Sequence, residues 1–229
     1  MKSNYDNRIV IKPWGEEYNI FRNKKKIAIT YLKIEKGKST SLHCHPNKKT
    51  GFLILSGVAE VQLGIYKKNT IKYKQMSILV LRPGLFHRIR ASKKSDLYAL
   101  EVESPYIKKD LIRMEDNYGR KNQDYENLDK TKAITMQNII FKKPKINKKN
   151  IYYLNGIKIS LAYYKNFNSW KSKNDNTISI IVDGFIVNDK KKIVIKEGEI
   201  IKSLTLKNLS KNFNIKNKIL VLKAKKIIK

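Results

Sequence analysis

The three histidines of the chain are the residues best suited to chemistry. His43 and His45 lie two residues apart in the sequence LHCHPNKKTGFLILSG, and His87 follows in LRPGLFHRI. On a β-strand the side chains of residues i and i+2 share one face, so we expect His43 and His45 to point the same way. Pro83-Gly84 predicts a turn that can place His87 on an antiparallel neighbouring strand.

Three imidazoles arranged in this way are expected to bind a divalent metal ion, with further coordination positions open to water or substrate. Imidazole ligands suit Zn, Fe, Mn, Ni or Co, and the sequence does not choose among them. The alternative is that each histidine is an ordinary barrel or surface residue. We favour the metal site because all three histidines of the chain fall within this one arrangement.

Short apolar segments must position these histidines. They are rich in β-branched and aromatic residues, and turns containing Gly, Pro, Asn or Lys separate them: KIAITYLKI, GFLILSG, AEVQLGIY, SILVLRPG and DLYALEVE. This pattern predicts an all-β sandwich or barrel. The one short helix that we expect lies around residues 108–114.

A polar, lysine-rich segment divides the chain. Residues 121–150 are predicted to be a linker with one strand near residues 134–141, and short strands resume over residues 151–229. The segment TISIIVDG (177–184) resembles TGFLILSG (50–57) in length and pattern. We therefore predict two related β domains, covering residues 1–120 and 151–229.

The second domain is expected to lack a metal. Counting back from Thr177, the positions that correspond to His43 and His45 are Trp170 and Ser172, and neither is a credible ligand.

Charge and composition narrow the partners. The net charge is +31, but the lysines are spread along the whole chain rather than gathered in one stripe. We therefore consider nucleic acid an unlikely partner and expect an anionic small molecule to benefit from the positive field. No apolar run is long enough to span a bilayer, and with the single Cys44 this predicts a cytoplasmic protein.

The histidine segments resemble the two signature motifs of the cupin superfamily. Five residues separate Gly37 from His43, and Gly57 and the Pro83-Gly84 turn before His87 complete the pattern. The resemblance implies an antiparallel jelly-roll-like β-barrel with a metal at its mouth, and for the whole chain a bicupin with a degenerate second barrel. The usual motif has a glutamate ligand five residues after the second histidine, where this chain has Thr50.

Residues 10–120 more specifically resemble the cupin domain of type II mannose-6-phosphate isomerases. The segments that carry this resemblance are KPWGEEYNI, LKIEKGKSTSLHCH, SGVAEVQLG, LRPGLFHRI and KKDLIRMEDNYGR. The family implies sugar-phosphate ligands, a divalent metal and aldose–ketose isomerisation by proton transfer. An arginine that acts in catalysis in that family corresponds to Lys48. Thr50 cannot act as the general base that isomerisation needs.

Several cationic side chains are candidates for binding the substrate, and the catalytic group is unknown, with Lys48 and Arg113 as candidates. The predicted anion contacts are Lys48, Lys49, Arg113 and Arg120. Arg113 and Arg120 have the alternative of pairing with nearby acidic residues as a structural latch. Arg88 and Arg90 are expected on the outer surface.

The resulting hypothesis is a metal-dependent cupin that acts on a sugar phosphate or a nucleotide sugar in surface-polysaccharide metabolism. Three alternatives remain open: a sugar-binding or regulatory cupin without turnover, a three-histidine iron dioxygenase, and a polyanion-binding protein. The sequence does not determine the oligomeric state, and a homodimer is left open.

Overall fold

The computed structural model describes residues 7–120, 130–171 and 176–227. The chain divides into two compact units, a first unit of Met1–Ile140 and a second unit of Phe141–Lys229. The division falls inside the segment that the sequence predicts as a linker.

The described part of the first unit consists of β-strands joined by turns. Their bounds are β1 (Arg8–Lys12), β2 (Gly15–Asn23), β3 (Ile27–Ile34), β4 (Leu42–Cys44), β5 (Lys49–Ser56), β6 (Ala59–Leu63), β7 (Thr70–Tyr73), β8 (Ile78–Leu81), β9 (His87–Ala91), β10 (Leu97–Ser104), β11 (Ile112–Glu115) and β12 (Thr131–Ala133).

These strands form two sheets in which every pair is antiparallel. The larger sheet has the order β12-β1-β2-β3-β10-β5-β8, and the smaller has the order β11-β4-β9-β6-β7. One apolar cluster contains residues of both sheets, including Phe52 and Ala99 from the larger and Val61 and Ile89 from the smaller. This is the antiparallel all-β architecture that the apolar pattern predicts.

Alternation along β9 shows how the sequence orients the site. His87, Ile89 and Ala91 are buried, whereas Arg88 is half-buried and Arg90 is exposed. A strand with one apolar face places that face in the core, because a shift of one residue in the pairing register would expose its buried side chains. His87 is thereby directed inward.

Two sequence predictions about local structure are wrong. Residues 108–114 form no helix, because Asp110 lies in a turn and β11 then pairs with β4. The strand expected at residues 134–141 lies earlier, as β12, where it pairs with β1. A turn follows it, in which the Asn138 side chain accepts hydrogen bonds from Thr135.

The second unit contains strands and two helices. Their bounds are β13 (Lys149–Leu154), β14 (Ile157–Tyr164), α1 (Phe167–Trp170), β15 (Thr177–Asp183), β16 (Ile186–Val187), β17 (Ile193–Ile195), β18 (Ile200–Lys202), α2 (Ser203–Asn212), β19 (Asn214–Ile215) and β20 (Ile219–Lys226). One sheet has the order β13-β14-β20-β15-β18, and a smaller one has the order β17-β16-β19.

The core of the second unit is built around Trp170, which is fully buried. Its ring stacks on Phe167, and its Nε1 donates a hydrogen bond of 3.1 Å to the Ser179 hydroxyl. Ser172, the second position expected to lack a ligand, lies outside the described residues. Helix α2 was not predicted, and it packs Leu206 into the same core.

Across the three described ranges, no helix combines the length and the apolar character needed to cross a membrane.

Candidate metal centre

Neighbouring strands of the smaller sheet bring the three histidines together. His43 on β4 lies directly opposite His87 on β9, and His45 follows β4 immediately. The ring centroids of His43 and His87 are 4.5 Å apart, and His45 lies 5.0 Å from His43 and 5.4 Å from His87. The antiparallel neighbour predicted for the histidine strand is therefore present.

Backbone carbonyl groups fix the orientation of each ring. The Nδ1 atoms of His43, His45 and His87 contact the carbonyl oxygens of Ser41 (2.9 Å), Asp110 (2.6 Å) and Leu85 (3.0 Å). A carbonyl oxygen only accepts hydrogen bonds, so each Nδ1 carries the proton and donates it. Each neutral ring consequently has its lone pair on Nε2.

The free nitrogen atoms fit a metal ion. One ligand atom from each histidine lies within 4.8 Å of the others, and the Nε2 atoms of His45 and His87 are buried without a hydrogen-bond partner. Buried polar atoms normally have a partner. A metal ion would satisfy these lone pairs. In metal-binding histidines the ring nitrogen that does not bind the metal typically donates a hydrogen bond, as each Nδ1 does here. The three-histidine group is therefore able to hold a metal ion.

Burial keeps the imidazoles neutral, which is the form that binds a metal. It lowers the pKa of His43 well below the usual 6.5, with further lowering from the neighbouring histidines. It lowers the pKa of His45 to about 3 and that of His87 to about 4, and the charge of Lys48 acts in the same direction on both.

Asp110 holds the loop that follows His45. Its carboxylate accepts hydrogen bonds from the backbone N–H groups of Asn47 (3.0 Å) and Lys48 (2.8 Å), and from the Asn47 side chain (2.8 Å). Burial alone would raise the pKa of Asp110, but these bonds outweigh it and lower the pKa. No local pattern in the sequence indicates that Asp110 holds this loop.

The histidines open onto a cavity inside the first unit, which we call the histidine cavity. It is lined by Lys12, Trp14, Glu17, Thr30, Leu32, Thr40, Ser41, His43, His45, Lys48, Phe52, His87, Ile89, Glu101, Glu103, Lys108, Leu111, Arg113 and Arg120. Of the predicted anion contacts, Lys48, Arg113 and Arg120 line it. Lys49 lies on β5 outside this lining, paired in register with Ser104.

Arg113 lies directly beside the metal ligands. It is opposite His43 on β11, so Arg113, His43 and His87 form one row across three strands. Its guanidinium donates to the carbonyl oxygen of Arg120 at 3.4 Å. Arg120 itself forms an ion pair of 2.8 Å with Asp116. The latch that the sequence allowed is therefore present at Arg120, and both arginines still line the histidine cavity.

Lys48 is buried and is bonded to Glu103. Burial alone would lower the pKa of Lys48, but the negative charges of Glu103 and Glu101 outweigh it and raise the pKa. Glu103 lies opposite Thr50 on the neighbouring strand, and Thr50 is 1% exposed. A carboxylate therefore lies one strand away from the position where the cupin motif has its glutamate.

The three acidic residues that line the histidine cavity are not evident from the sequence. Glu17 on β2 lies 3.6 Å from the ammonium groups of both Lys12 and Lys108. Glu101 and Glu103 project from β10 at i and i+2, which places them on one face. The alternation in LYALEVES is the sequence signal that places Glu101 and Glu103 on one face.

The remaining residues singled out from the sequence are placed as follows. Trp14 is 5% exposed and belongs to the apolar cluster of the barrel, although it also lines the cavity. Arg90 is exposed, as expected. Arg88, which was also expected on the outer surface, is instead half-buried, because it pairs with Glu115 on β11 at 2.9 Å.

Curated relatives resemble about half of the chain. The xanthan biosynthesis protein XanB of Xanthomonas campestris pv. campestris is 28% identical over 115 residues, which are 49% of this chain and 24% of that protein. The alginate biosynthesis protein AlgA of Pseudomonas putida is 29% identical over 119 residues, which are 51% of this chain and 24% of that protein. The chain thus spans about a quarter of the length of these relatives.

Two solved structures show a more distant likeness. KdgF from a Halomonas species aligns with a TM-score of 0.38 at 15% identity, covering 42% of this chain and 85% of that one. The capsular polysaccharide assembling protein CapF of Staphylococcus aureus aligns with a TM-score of 0.41 at 14% identity, covering 47% of this chain and 34% of that one. A likeness at this level is no evidence for a shared function.

The family model gives the firmest assignment. Residues 2–116 match the model described as "Mannose-6-phosphate isomerase C-terminal". The match contains all three histidines, β1 to β11 and every residue that lines the histidine cavity except Arg120. The chain therefore belongs to the mannose-6-phosphate isomerase C-terminal family of cupin domains.

Proposed function

We propose that this protein is a metal-dependent cupin that isomerises a sugar phosphate, or acts on a nucleotide sugar, in the synthesis of surface polysaccharide. The observation that carries the proposal is the preorganised group of three neutral imidazoles, whose free nitrogens face the histidine cavity. A divalent ion bound there supplies Lewis acidity at a carbonyl or hydroxyl oxygen of the sugar.

The charges of the cavity support an anionic ligand. The histidine cavity is lined by three carboxylates and five cationic side chains. The cationic side chains are those of Lys12, Lys48, Lys108, Arg113 and Arg120. Arg113 is the best-placed contact for a phosphate, because it adjoins His43 and arginine recognises phosphate with a planar pair of donors. In this proposal Arg113 and Arg120 hold the phosphate, and Lys48 holds Glu103 beside the sugar.

The names of the relatives support a role in polysaccharide synthesis. XanB and AlgA are described as xanthan and alginate biosynthesis proteins, and the family is described by mannose-6-phosphate isomerase. Mannose 6-phosphate is therefore the first substrate to test. A cytoplasmic location and a homodimer stay predictions.

The test combines metal analysis with an isomerase assay. We expect the purified protein to carry about one divalent ion per first unit and to interconvert mannose 6-phosphate and fructose 6-phosphate, measured by coupled assay and by NMR. The matched control is His87→Ala, which removes one ligand and should abolish both metal content and turnover. Wild-type protein that binds metal and sugar phosphate without turnover would contradict isomerisation and favour the sugar-binding alternative.

A second candidate is an iron-dependent dioxygenase. The observation that favours it is the ligand set, since among the described residues the group that can hold a metal contains three histidines and no carboxylate. Oxygen uptake by the Fe(II)-loaded protein, dependent on an added organic substrate, would support this candidate. Turnover of the hexose phosphate with Zn or Mn and without oxygen would exclude it.

A further inference from the structure

Three carboxylates line the histidine cavity, and lysines neutralise two of them. Glu103 is bonded to Lys48. Glu17 lies between Lys12 and Lys108, at 3.6 Å from each ammonium group. Each of these two acids therefore has an opposite charge beside it.

Glu101 is the third carboxylate, and its situation differs. Among the described residues, no hydrogen bond or ion pair joins its carboxylate to another group. Its register partners are Thr30 on β3 and Phe52 on β5, which bring no charge. It is half-buried in the wall and open to the cavity that the histidines share.

Charged groups of both signs face Glu101. The acids are Glu103 on its own strand and Glu17 on β2, and the bases are Lys48 and Lys108. Burial, followed by the charge of Glu103, raises the pKa of Glu101 to about 8, against the lowering effect of the two lysines. A group that titrates close to neutrality can both take and return a proton at working pH.

We propose that Glu101 is the general base and acid that moves the proton between C1 and C2 of the bound sugar. This inference rests on the proposed isomerase function. It identifies the proton shuttle that the substitution of Thr50 for the motif glutamate leaves without a candidate. The role requires a carboxylate that is open to the cavity and not held by a lysine, and Glu101 meets both conditions.

The step balances without a further reactant. In the aldose-to-ketose direction, the ionised Glu101 takes the proton from C2. The C–H electron pair becomes the C1=C2 double bond, and the carbonyl pair moves onto O1 to give an enediolate. The hydroxyl proton on O2 passes to O1, the carbonyl forms at C2, and the C1=C2 pair takes the proton from Glu101 at C1. Glu101 returns to its ionised form, and no electrons are gained or lost overall.

The test compares Glu101→Gln with wild type, with Glu35→Gln as a matched control at a half-exposed acid outside the histidine cavity, which pairs with Lys38. Protein loaded with the metal found in the wild type is given mannose 6-phosphate in D₂O, and NMR follows both conversion and deuterium at C1 and C2. Calorimetry measures the affinity for fructose 6-phosphate, and elemental analysis measures the metal content.

We expect Glu101→Gln to lose about 10²–10⁴-fold in kcat, the range typical of general acid–base groups, with metal content and sugar-phosphate affinity unchanged. Deuterium incorporation should fall in parallel. Glu101→Asp should recover part of the rate, and the rise in wild-type rate between about pH 7 and pH 9 should be absent from Glu101→Gln.

Three results would overturn the inference. If Glu101→Gln keeps the wild-type rate and pH profile, the shuttle is another group and the isomerase function stands. If it loses metal or sugar-phosphate affinity together with the rate, Glu101 has a structural role. If the wild type neither converts the sugar nor exchanges deuterium, the proposed function fails and the inference fails with it.

Discussion

The two units of this protein share an order of strands and differ in the histidines. In the first unit five strands run β2-β3-β10-β5-β8, and in the second they run β13-β14-β20-β15-β18, with every pair antiparallel. The smaller sheets correspond as well, because β6 pairs with β7 and β9, and β16 pairs with β17 and β19.

The correspondence extends to individual backbone bonds. Ile54 lies three residues before Gly57. Its backbone N–H donates a hydrogen bond to the carbonyl oxygen of Ser77, and its carbonyl oxygen accepts one from the N–H of Met76. Ile181 lies three residues before Gly184 and forms the two equivalent backbone hydrogen bonds. It donates one to Glu199 and accepts one from Gly198. Met76 and Gly198 both have a positive φ. This agreement supports the proposal, already suggested by the sequence, that the second unit is a degenerate cupin-like barrel and the chain a bicupin.

The difference lies in the segment that precedes β5 or β15. The first unit has β4 there, with two histidines and the loop that Asp110 holds. The second unit has α1 there, and Trp170 fills its core. Among the described residues, the group that can hold a metal lies in the first unit, and it depends on β4, the loop beside it and His87 of β9.

The largest expected effect tests whether metal binding belongs to the first unit alone. His87→Ala should reduce the metal content from about one ion per chain to almost none, because it removes one of three ligands, and even changes beside the ligands cost 10–100-fold in affinity. Elemental analysis after gel filtration measures this, and circular dichroism checks the fold. Full metal content in the variant would show that the ion binds elsewhere.

The next effect tests the core of the second unit. Trp170→Ala should lower the free energy of unfolding of that unit by about 3–5 kcal/mol, the usual cost of removing a large buried aromatic side chain. Hydrogen exchange resolved by unit measures the loss. Trp170→Phe, which keeps a ring and loses the bond to Ser179, should cost about 1 kcal/mol. A loss of metal in either variant would contradict the separation of the two roles.

A smaller effect tests the correspondence of Gly57 and Gly184. Both have a positive φ, and an added Cβ would lie 2.3 Å from the carbonyl oxygen of Asp96 or 2.7 Å from that of Lys218. Changing either to alanine should cost about 1–3 kcal/mol in its own unit, measured by denaturant unfolding with hydrogen exchange. Gly84→Ala is the control for the close contact alone, because Gly84 also has a positive φ but a Cβ there meets nothing within 4 Å. Equal stability of Gly184→Ala and wild type would break the correspondence.

The smallest effect is a dependence on pH confined to the first unit. The pKa values of the three histidines lie below 6.5 in the folded state, so the unfolded chain binds more protons at mildly acid pH. The stability of the metal-free protein should therefore fall by about 1 kcal/mol from pH 8 to pH 6.5. Thermal unfolding measures it, and His87→Gln should show a weaker dependence. An equal fall in the second unit, which has no histidine, would contradict this cause.

Local spacing predicted the parts of the site that lie on one strand or its direct neighbour. The i, i+2 spacing of His43 and His45 and the turn before His87 were sufficient for the metal group. Glu17, Glu101 and Lys108 come from separate segments and meet only through pairing of distant strands. In a chain where charge is spread everywhere, nothing local distinguishes them from solvated residues.

The same limit explains the errors in secondary structure. Residues 108–114 have helix-like spacing, yet the Asp110 carboxylate bonds to the loop after His45 and β11 completes the smaller sheet. The segment from Ser203 continues an apolar run that looks like a strand, and it becomes helix α2 because Leu206 packs into the core. Tertiary contacts decided both cases.

The bonds from each histidine Nδ1 to a backbone carbonyl have a consequence for how the protein acquires its metal. Because the main chain sets the rings in place before any ion arrives, the barrel should fold first and load afterwards, unlike small domains that are unfolded without zinc. Three imidazoles with open positions accept several divalent ions, and their intrinsic affinity order favours copper and zinc over manganese and iron. The ion in the site is then decided by the supply of free metal where the protein folds.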